Sequence, residues 1–514
     1  MIALPKPPAQ TFVPVSEAAR QRGERSWLGE PWPRSDLLWL AGVTIVGIVL
    51  RLWQLEQWSL SAAEAATWQG ATEPLRGEHG FLASERSYHP FPDLLLRGSF
   101  AANLLPFHGE GWLRLPFAFL GMLTVPLLAL VGDLLVGRRT ALWAAGLLAL
   151  HPWHVAISQT ASGEVGALFF GLFAVGAGVV AHRSARRGSA VVAVAFALLA
   201  AGFHPSGWTA VVGLPAAALV VAVAPAERRR AAIWLAAALL AVGVPVVAIA
   251  AGGPCAPPVA GFFAAARPVL LLLALFGLLA WPVGAAARER RWLAVAALLP
   301  VLLPLAVAPL GVPVAADAAL LGLPALLCLA CSGAGRWFHL VLQAMAPARW
   351  WLAVLPAALV PAVFGLDLLV ELYLYGTVHR GNRTDWRAAS ETVLDGATHE
   401  RPLTVLAAAG APSLTYYLRP NHWREREDDP HPGLQVRLVA PARFAAEAEW
   451  LAEARASRDV FLVLDREELL ALRQDAPSAR QFEAVFCPVG VVPHPTEAAG
   501  GTVYVHRAGP LEGR

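Results

Sequence analysis

The chain is 514 residues long, 57% hydrophobic and only 15% charged, with a mean hydropathy of +0.53, whereas about a quarter of the residues in a soluble domain are charged. Most of it must therefore be solvated by lipid. Its formal net charge of +3, with arginines in short clusters between apolar runs and Lys6 the only lysine, excludes a nucleic-acid-binding surface.

Residues 1–35 combine Pro5, Pro7, Pro8, Pro14, Pro31 and Pro33 with Arg20, Arg22, Arg25 and Arg34, too little apolar surface for a packed unit. They read as a disordered, basic cytoplasmic tail. The first apolar run, Leu37 to Leu50, is short, and Ser61-Ala62-Ala63 resembles a signal-peptidase site. An uncleaved span from Asp36 to Leu55 is preferred, because it makes every later loop obey the charge rule. Further spans are expected at Trp112 to Val136, Ala141 to Ser158, Val165 to Ala181, Ala190 to Phe203, Trp208 to Val223, Ala231 to Ala250, Pro268 to Ala287, Trp292 to Leu310, Ala318 to Cys331 and Trp351 to Val370. The loops meant for the cytoplasm carry Arg138 and Arg139; Arg183, Arg186 and Arg187; Arg228 to Arg230; and Arg288, Arg290 and Arg291. The loops between them carry almost none, which places the C-terminal end outside.

The fold class is thus a polytopic α-helical membrane protein of about eleven spans, residues 36–372, followed by a soluble α/β domain, residues 373–514. An outer loop, residues 54–111, has apolar residues spaced as in helices lying along the membrane surface. In the C-terminal part, β-prone runs at Leu403 to Ala407, Gln435 to Val439, Val460 to Leu464, Ala484 to Val492 and Thr502 to His506 alternate with helical stretches at Trp386 to Leu394, Ala442 to Ala456 and Arg466 to Arg473. That length suffices for a core of its own. No G-x-G-x-x-G or Walker-type loop occurs there. The Cys328-x-x-Cys331 pair lies inside an apolar run and reads as packing, while Cys255 and Cys487 both fall outside the membrane, where a disulfide is sterically allowed.

Three stretches together resemble the GT-C membrane glycosyltransferases, which take a sugar from a polyprenyl-phosphate donor on the outer face. The first is Arg51-Leu52-Trp53-Gln54-Leu55 with Trp58-Ser59-Leu60-Ser61-Ala62-Ala63-Glu64-Ala65. The second runs from His89-Pro90 through Leu113-Arg114-Leu115-Pro116 to Leu150-His151-Pro152-Trp153-His154 and Ser158-Gln159. The third, Asp385-Trp386-Arg387, is similar to the start of the outer domain in the bacterial branch. The resemblance implies a bacterial plasma-membrane protein, with a polyprenyl-phosphate sugar and membrane lipids as partners and an acceptor it does not identify.

The chain departs from the family's pattern where chemistry is expected. The family's Asp-Glu pair, whose Asp is the catalytic carboxylate, is Ala63-Glu64 here; its Glu-Ala-Arg is Thr160-Ala161-Ser162; its Arg-Tyr near the tenth span falls at Ala315-Ala316. A hydroxyl or amide acceptor needs a carboxylate to take its proton or to hold a divalent metal, the one cofactor the resemblance allows for. One helical position turns a side chain by about 100°, so Glu64 does not simply replace a carboxylate at 63.

Glu64 and Asp93 are the candidate catalytic carboxylates. Arg51, His89, Arg114, Gln159 and Glu164 are the candidate substrate-binding groups. Guanidinium matches phosphate bidentately, and an ionisable group at a membrane boundary needs a cavity or a partner. Each has a plainer reading: a helix-starting Glu64, a turn at His89-Pro90, snorkelling Arg51 and Arg114, an interfacial Glu164. His151 and His154 read as a helix end more readily than as a metal pair. Two functions remain open, a transferase and a catalytically inactive protein of the same fold that binds a lipid-linked glycan or a partner. A secondary transporter lacks support, since the midplane charges and repeated broken spans are missing. In a cysteine-free background, a cysteine near Arg229 is expected to be shielded from a membrane-impermeant label in intact cells and one near Asp428 to react; the reverse pattern overturns the topology.

Overall fold

The computed structural model describes residues 31–72, 90–101, 109–184, 187–207, 210–211, 274, 322–344, 362, 365–375, 384–398, 401–408, 411–418, 434–439, 441–493 and 502–509. The spans expected at residues 208–223, 231–250, 268–287 and 292–310 fall almost wholly outside these, as do His89 and Cys255. Among the described residues three helices are long and apolar enough to cross a membrane, or four if one bent pair counts as a single span.

Helix α1 is Arg34–Leu52. Two short helices follow, α2 (Ala62–Thr72) and α3 (Phe91–Ala101). Helix α4, Glu110–Val136, has 27 residues and so runs about 40 Å. Gly137 joins it directly to α5 (Arg138–Leu150) with φ 89, a left-handed backbone that favours glycine. The third expected span is broken: α5 and α6 (Pro152–Ser158) meet at 64°. The cause is Pro152, which has no N–H to continue the ladder and holds His151 extended. Helices α7 (Glu164–Ser184) and α8 (Arg187–Phe203) form a hairpin, with Phe170 and Phe173 stacked on Phe196. Helix α9, Leu323–Ala344, runs well past the expected Cys331. Leu128, Val131, Leu148, Leu323 and Leu327 make the core among α4, α5, α7 and α9, and Cys328 is packed within it. Cys487 is exposed and unbridged.

The C-terminal part starts with α10 (Trp386–Gly396), where Asp385 accepts the Ala388 N–H as N-cap. Then come β1 (Leu403–Ala407), α11 (Ala411–Leu418), β2 (Gln435–Leu438), a 3₁₀ turn at Pro441–Glu447, α12 (Ala448–Ser457), β3 (Asp459–Asp465), α13 (Arg466–Gln474), α14 (Ala476–Val485), β4 (Phe486–Val492) and β5 (Val503–Ala508). The sheet order is β2-β1-β3-β5-β4. β1 is parallel to β2 and β3, with Val405 opposite Phe461; β5 is antiparallel to β3 and β4.

Strand residues alternate between two cores. Leu406, Val460, Leu462 and Leu464 face the layer of Phe444, Leu451, Leu472 and Phe482. Leu403, Val405, Phe461 and Val505 face Trp386, Val393 and Tyr417, and this core continues into Leu60, Ala65, Leu96, Leu113 and Phe117 of the helical part. The α/β layer expected to have its own core shares one face of it with α2, α3 and α4.

On β5, His506 is buried with neither ring nitrogen hydrogen-bonded and stands edge-on to Phe482 at 4.9 Å. Burial, helped by Arg473, holds its pKa below the ordinary value. The fold therefore takes neutral His506, and its contribution is complete above about pH 6.5, the unfolded value, and is lost as pH falls through the folded one. Asp459 is the opposite ionic case. Burial raises it, but Thr398 and Arg507 outweigh that and hold it low, so its contribution disappears only below about pH 4. Thermal unfolding of the protein is expected to show a first loss of stability below about pH 6.5 that His506→Phe removes, and a second below about pH 4 that Asp459→Asn removes.

Candidate functional site

The residues from Arg51 to Glu64 form a knot at the end of α1, and the helix ends around it cap one another. Pro152 leaves the carbonyls at the C-terminus of α5 without their helical donors. Arg51 supplies them from α1: Nη1 donates to Ala149 O at 3.2 Å and to Gly47 O at 2.8 Å, Nη2 to Leu148 O at 3.4 Å and to His154 Nδ1. In return Gln159, just after α6, donates through Nε2 to Leu50 O at 3.0 Å and Trp53 O at 2.8 Å at the end of α1.

Arg114 closes the knot from α4. Its Nε donates to Glu64 Oε1 at 2.7 Å, Nη1 to Leu55 O and Trp58 O at 2.7 and 2.9 Å, and Nη2 to Ser59 O at 2.9 Å and Glu64 Oε2 at 3.4 Å. All five guanidinium donors are used. The Glu64 carboxylate is equally complete, since Oε1 also accepts Ala161 N–H at 3.1 Å and Oε2 accepts Ser61 N–H at 2.8 Å. Both side chains are 0% exposed.

The third resemblance stretch docks onto the same knot. Ser59 Oγ donates to Asp385 Oδ1 at 2.7 Å, and Leu60 N–H donates to Tyr417 Oη at 2.7 Å. Arg387 reaches Glu110 Oε1 at 2.7 Å and Glu56 O at 3.2 Å. Burial alone would lower the Arg387 guanidinium, but Glu110 and Tyr417 outweigh it and hold its pKa above the usual value. Burial and the Glu110 charge push the Tyr417 phenol up, so it stays neutral.

The two other candidate carboxylates have separate neighbours. Asp93, in the first turn of α3, packs against Gly70 of α2, where a Cβ would sit 2.4 Å from its Oδ2. Arg97 donates to Gly70 O at 2.8 Å. Glu164, opening α7, has Oε1 3.9 Å from His204 Nε2, while its Oε2 is buried without a hydrogen bond.

The expected site residues thus separate. Arg114, expected to meet a lipid phosphate, spends all its donors on backbone carbonyls and Glu64; Arg51, expected to do the same, spends both Nη groups on carbonyls and His154 and keeps a buried Nε without a hydrogen bond; Gln159, a substrate-binding candidate, donates to the carbonyls at the end of α1. The Glu64 carboxylate is filled by four N–H donors, whereas Ala63 beside it is exposed. Asp93, at Gly70, and Glu164, at His204, take no part in the hydrogen bonds of the knot, and His89 lies outside the described residues. Among the described residues no three His, Cys, Asp or Glu are placed to hold a metal ion, and no step is derived through one. The sequence reading missed Glu110, Tyr417 and the Ser59–Asp385 bond. Asp385 carried a signal, an N-cap residue just before a helical run; Tyr417 and Glu110, paired across 357 and 277 residues, carried none.

The fold is that of GT-C membrane glycosyltransferases. ArnT from Cupriavidus metallidurans bound to undecaprenyl phosphate superposes with a TM-score of 0.50 at 15% identity, over 92% of this chain and 99% of that one. The Archaeoglobus fulgidus oligosaccharyltransferase AglB, in complex with an inhibitory peptide and a dolichol-phosphate, gives 0.55 at 13% identity over 93% of this chain and 74% of that one. An Archaeoglobus fulgidus oligosaccharyltransferase in the apo form gives 0.54 at 14% identity, over 90% of this chain and 74% of that one. Within that fold, residues 74–224 match the sequence profile of the dolichyl-phosphate-mannose-protein mannosyltransferase family. A comparison with curated proteins gives no match.

Breaking a buried ion pair costs about 3–5 kcal/mol. Glu64→Gln is therefore expected to lower thermal stability strongly, because the amide leaves Arg114 charged and turns an NH₂ toward other donors. A change under about 1 kcal/mol in detergent-solubilised protein would contradict this reading of the knot.

Proposed function

We propose that the chain is a GT-C-type glycosyltransferase that takes a sugar from a polyprenyl-phosphate donor on the outer face of the membrane, beneath the α/β domain. One observation carries the reading: three stretches recognised separately in the sequence assemble into a single knot through Arg51–His154, Arg114–Glu64 and Ser59–Asp385. Proteins of this fold hold undecaprenyl phosphate or a dolichol-phosphate, which supports a lipid-linked donor here.

In this proposal Glu64 is a positioning residue, since every lone pair of its carboxylate already has a donor. It fixes α2 so that position 63 faces outward. The proton of the acceptor would pass to Asp93 or Glu164, the carboxylates not enclosed by the knot. The second reading, a protein of the same fold that binds the lipid-linked glycan without transferring it, is favoured by Ala63 itself: the exposed position that the resemblance assigns to a carboxylate carries a methyl group.

Transfer from a polyprenyl-phosphate sugar, measured in proteoliposomes, separates the two. For the transferase, Asp93→Asn or Glu164→Gln is expected to lower turnover by about 10² to 10⁴ with donor binding retained, the usual effect of losing a general base. Ala63→Asp is expected to exceed wild type. Strong wild-type transfer that Ala63→Asp lowers would show that the missing carboxylate is no defect. Donor binding without turnover in both wild type and Ala63→Asp would establish the second reading.

A further inference from the structure

Between the end of α1 and the start of α4 lies an open cleft of about 660 Å³, within the size range of small-molecule sites. Its walls are mainly apolar, from Leu52, Leu55, Trp112 and Leu115. Leu52 and the neighbouring Trp53 are 44% and 62% exposed at the end of a membrane-crossing helix, where tryptophan marks the boundary with water.

The polar part of the cleft is of one sign. Gln54 takes φ 59 and reverses the chain, bringing Glu56 against Gly111, where a Cβ would meet Glu56 Cγ at 2.5 Å. The neighbouring glutamates are neutralised, Glu64 by Arg114 and Glu110 by Arg387. Arg387 touches Glu56 only at its backbone oxygen. Among the described residues the Glu56 carboxylate has no ion-pair partner, so the one acidic group lining this apolar cleft is an exposed carboxylate that offers its oxygens to a cation.

We propose that this cleft binds one aminophospholipid, with an acyl chain against Leu52, Leu55, Trp112 and Leu115 and its primary ammonium on Glu56. An ammonium offers three N–H donors to the carboxylate. A trimethylammonium offers none, and an anionic headgroup would be repelled. Neither Asp93 nor Glu164 lines the cleft, and the proposal does not depend on whether the chain transfers a sugar.

The test uses the full-length protein, delipidated in detergent and titrated with phosphatidylethanolamine, phosphatidylcholine or phosphatidylglycerol of matched chains, with retained lipid read by native mass spectrometry. One phosphatidylethanolamine is expected to be retained about fivefold better than either competitor, the size of one partly solvated ion pair. Glu56→Gln should reduce it to the phosphatidylcholine level, and Leu115→Trp, which fills the cleft, should lower retention of all three. Equal retention, a preference for phosphatidylglycerol, or selectivity that survives Glu56→Gln overturns the proposal. If Glu56→Gln fails to fold by circular dichroism, stepwise N-methylation of the lipid on wild-type protein replaces it: a graded loss supports the site, and indifference to methylation overturns it.

Discussion

The assembly rests on the buried Arg114–Glu64 pair. Removing two charges from water costs several kcal/mol per ion, and their attraction offsets that only when the remaining donors and acceptors are also satisfied. Here they are, through three carbonyls of residues 55–59 and the N–H groups of Ser61 and Ala161. Satisfying the pair therefore dictates the backbone path after α1. Once that path is set, Ser59 and Leu60 face the α/β domain, and Ala63 faces away from the pair.

The capping of α5 by Arg51 and of α1 by Gln159 follows the same logic at a shallower cost. A proline break inside a lipid-solvated helix frees carbonyls that hydrocarbon cannot satisfy. A charged side chain from the neighbouring helix takes them, which also explains how Arg51 is tolerated within an apolar run. Arg51 and Gln159 lie 108 positions apart in the chain, yet Arg51 completes the end of α5 while Gln159, just after α6, completes the end of α1.

Local pattern explains what was legible beforehand. Leu403 to Ala407 read correctly as a strand because a run of apolar and β-prone residues leaves few alternatives, and the boundaries of α4 and α7 follow from hydropathy. Helix α14 was missed although Asp475-Ala476-Pro477 is a cap followed by proline at the first turn. Helix α11 was missed because eight residues beginning Ala-Pro-Ser give too short a period. The site was less legible than the fold for one reason: sequence shows that an arginine lies in an apolar run but not what it meets there. Arg114 looked free for phosphate, whereas an intramembrane guanidinium is more economically paired within the protein. Likewise Glu64 and Ala63 differ by one helical step, and only coordinates show which of the two is enclosed.

The core shared by the two parts bears on how the protein is made. Leu60 leaves the ribosome 357 residues before Tyr417, its hydrogen-bond partner, a delay of about 20 to 70 seconds at about 5–20 residues per second. During that interval Ser59, Leu60 and Trp68 have no C-terminal layer above them. The nascent protein must hold an unfinished polar knot until its last quarter arrives.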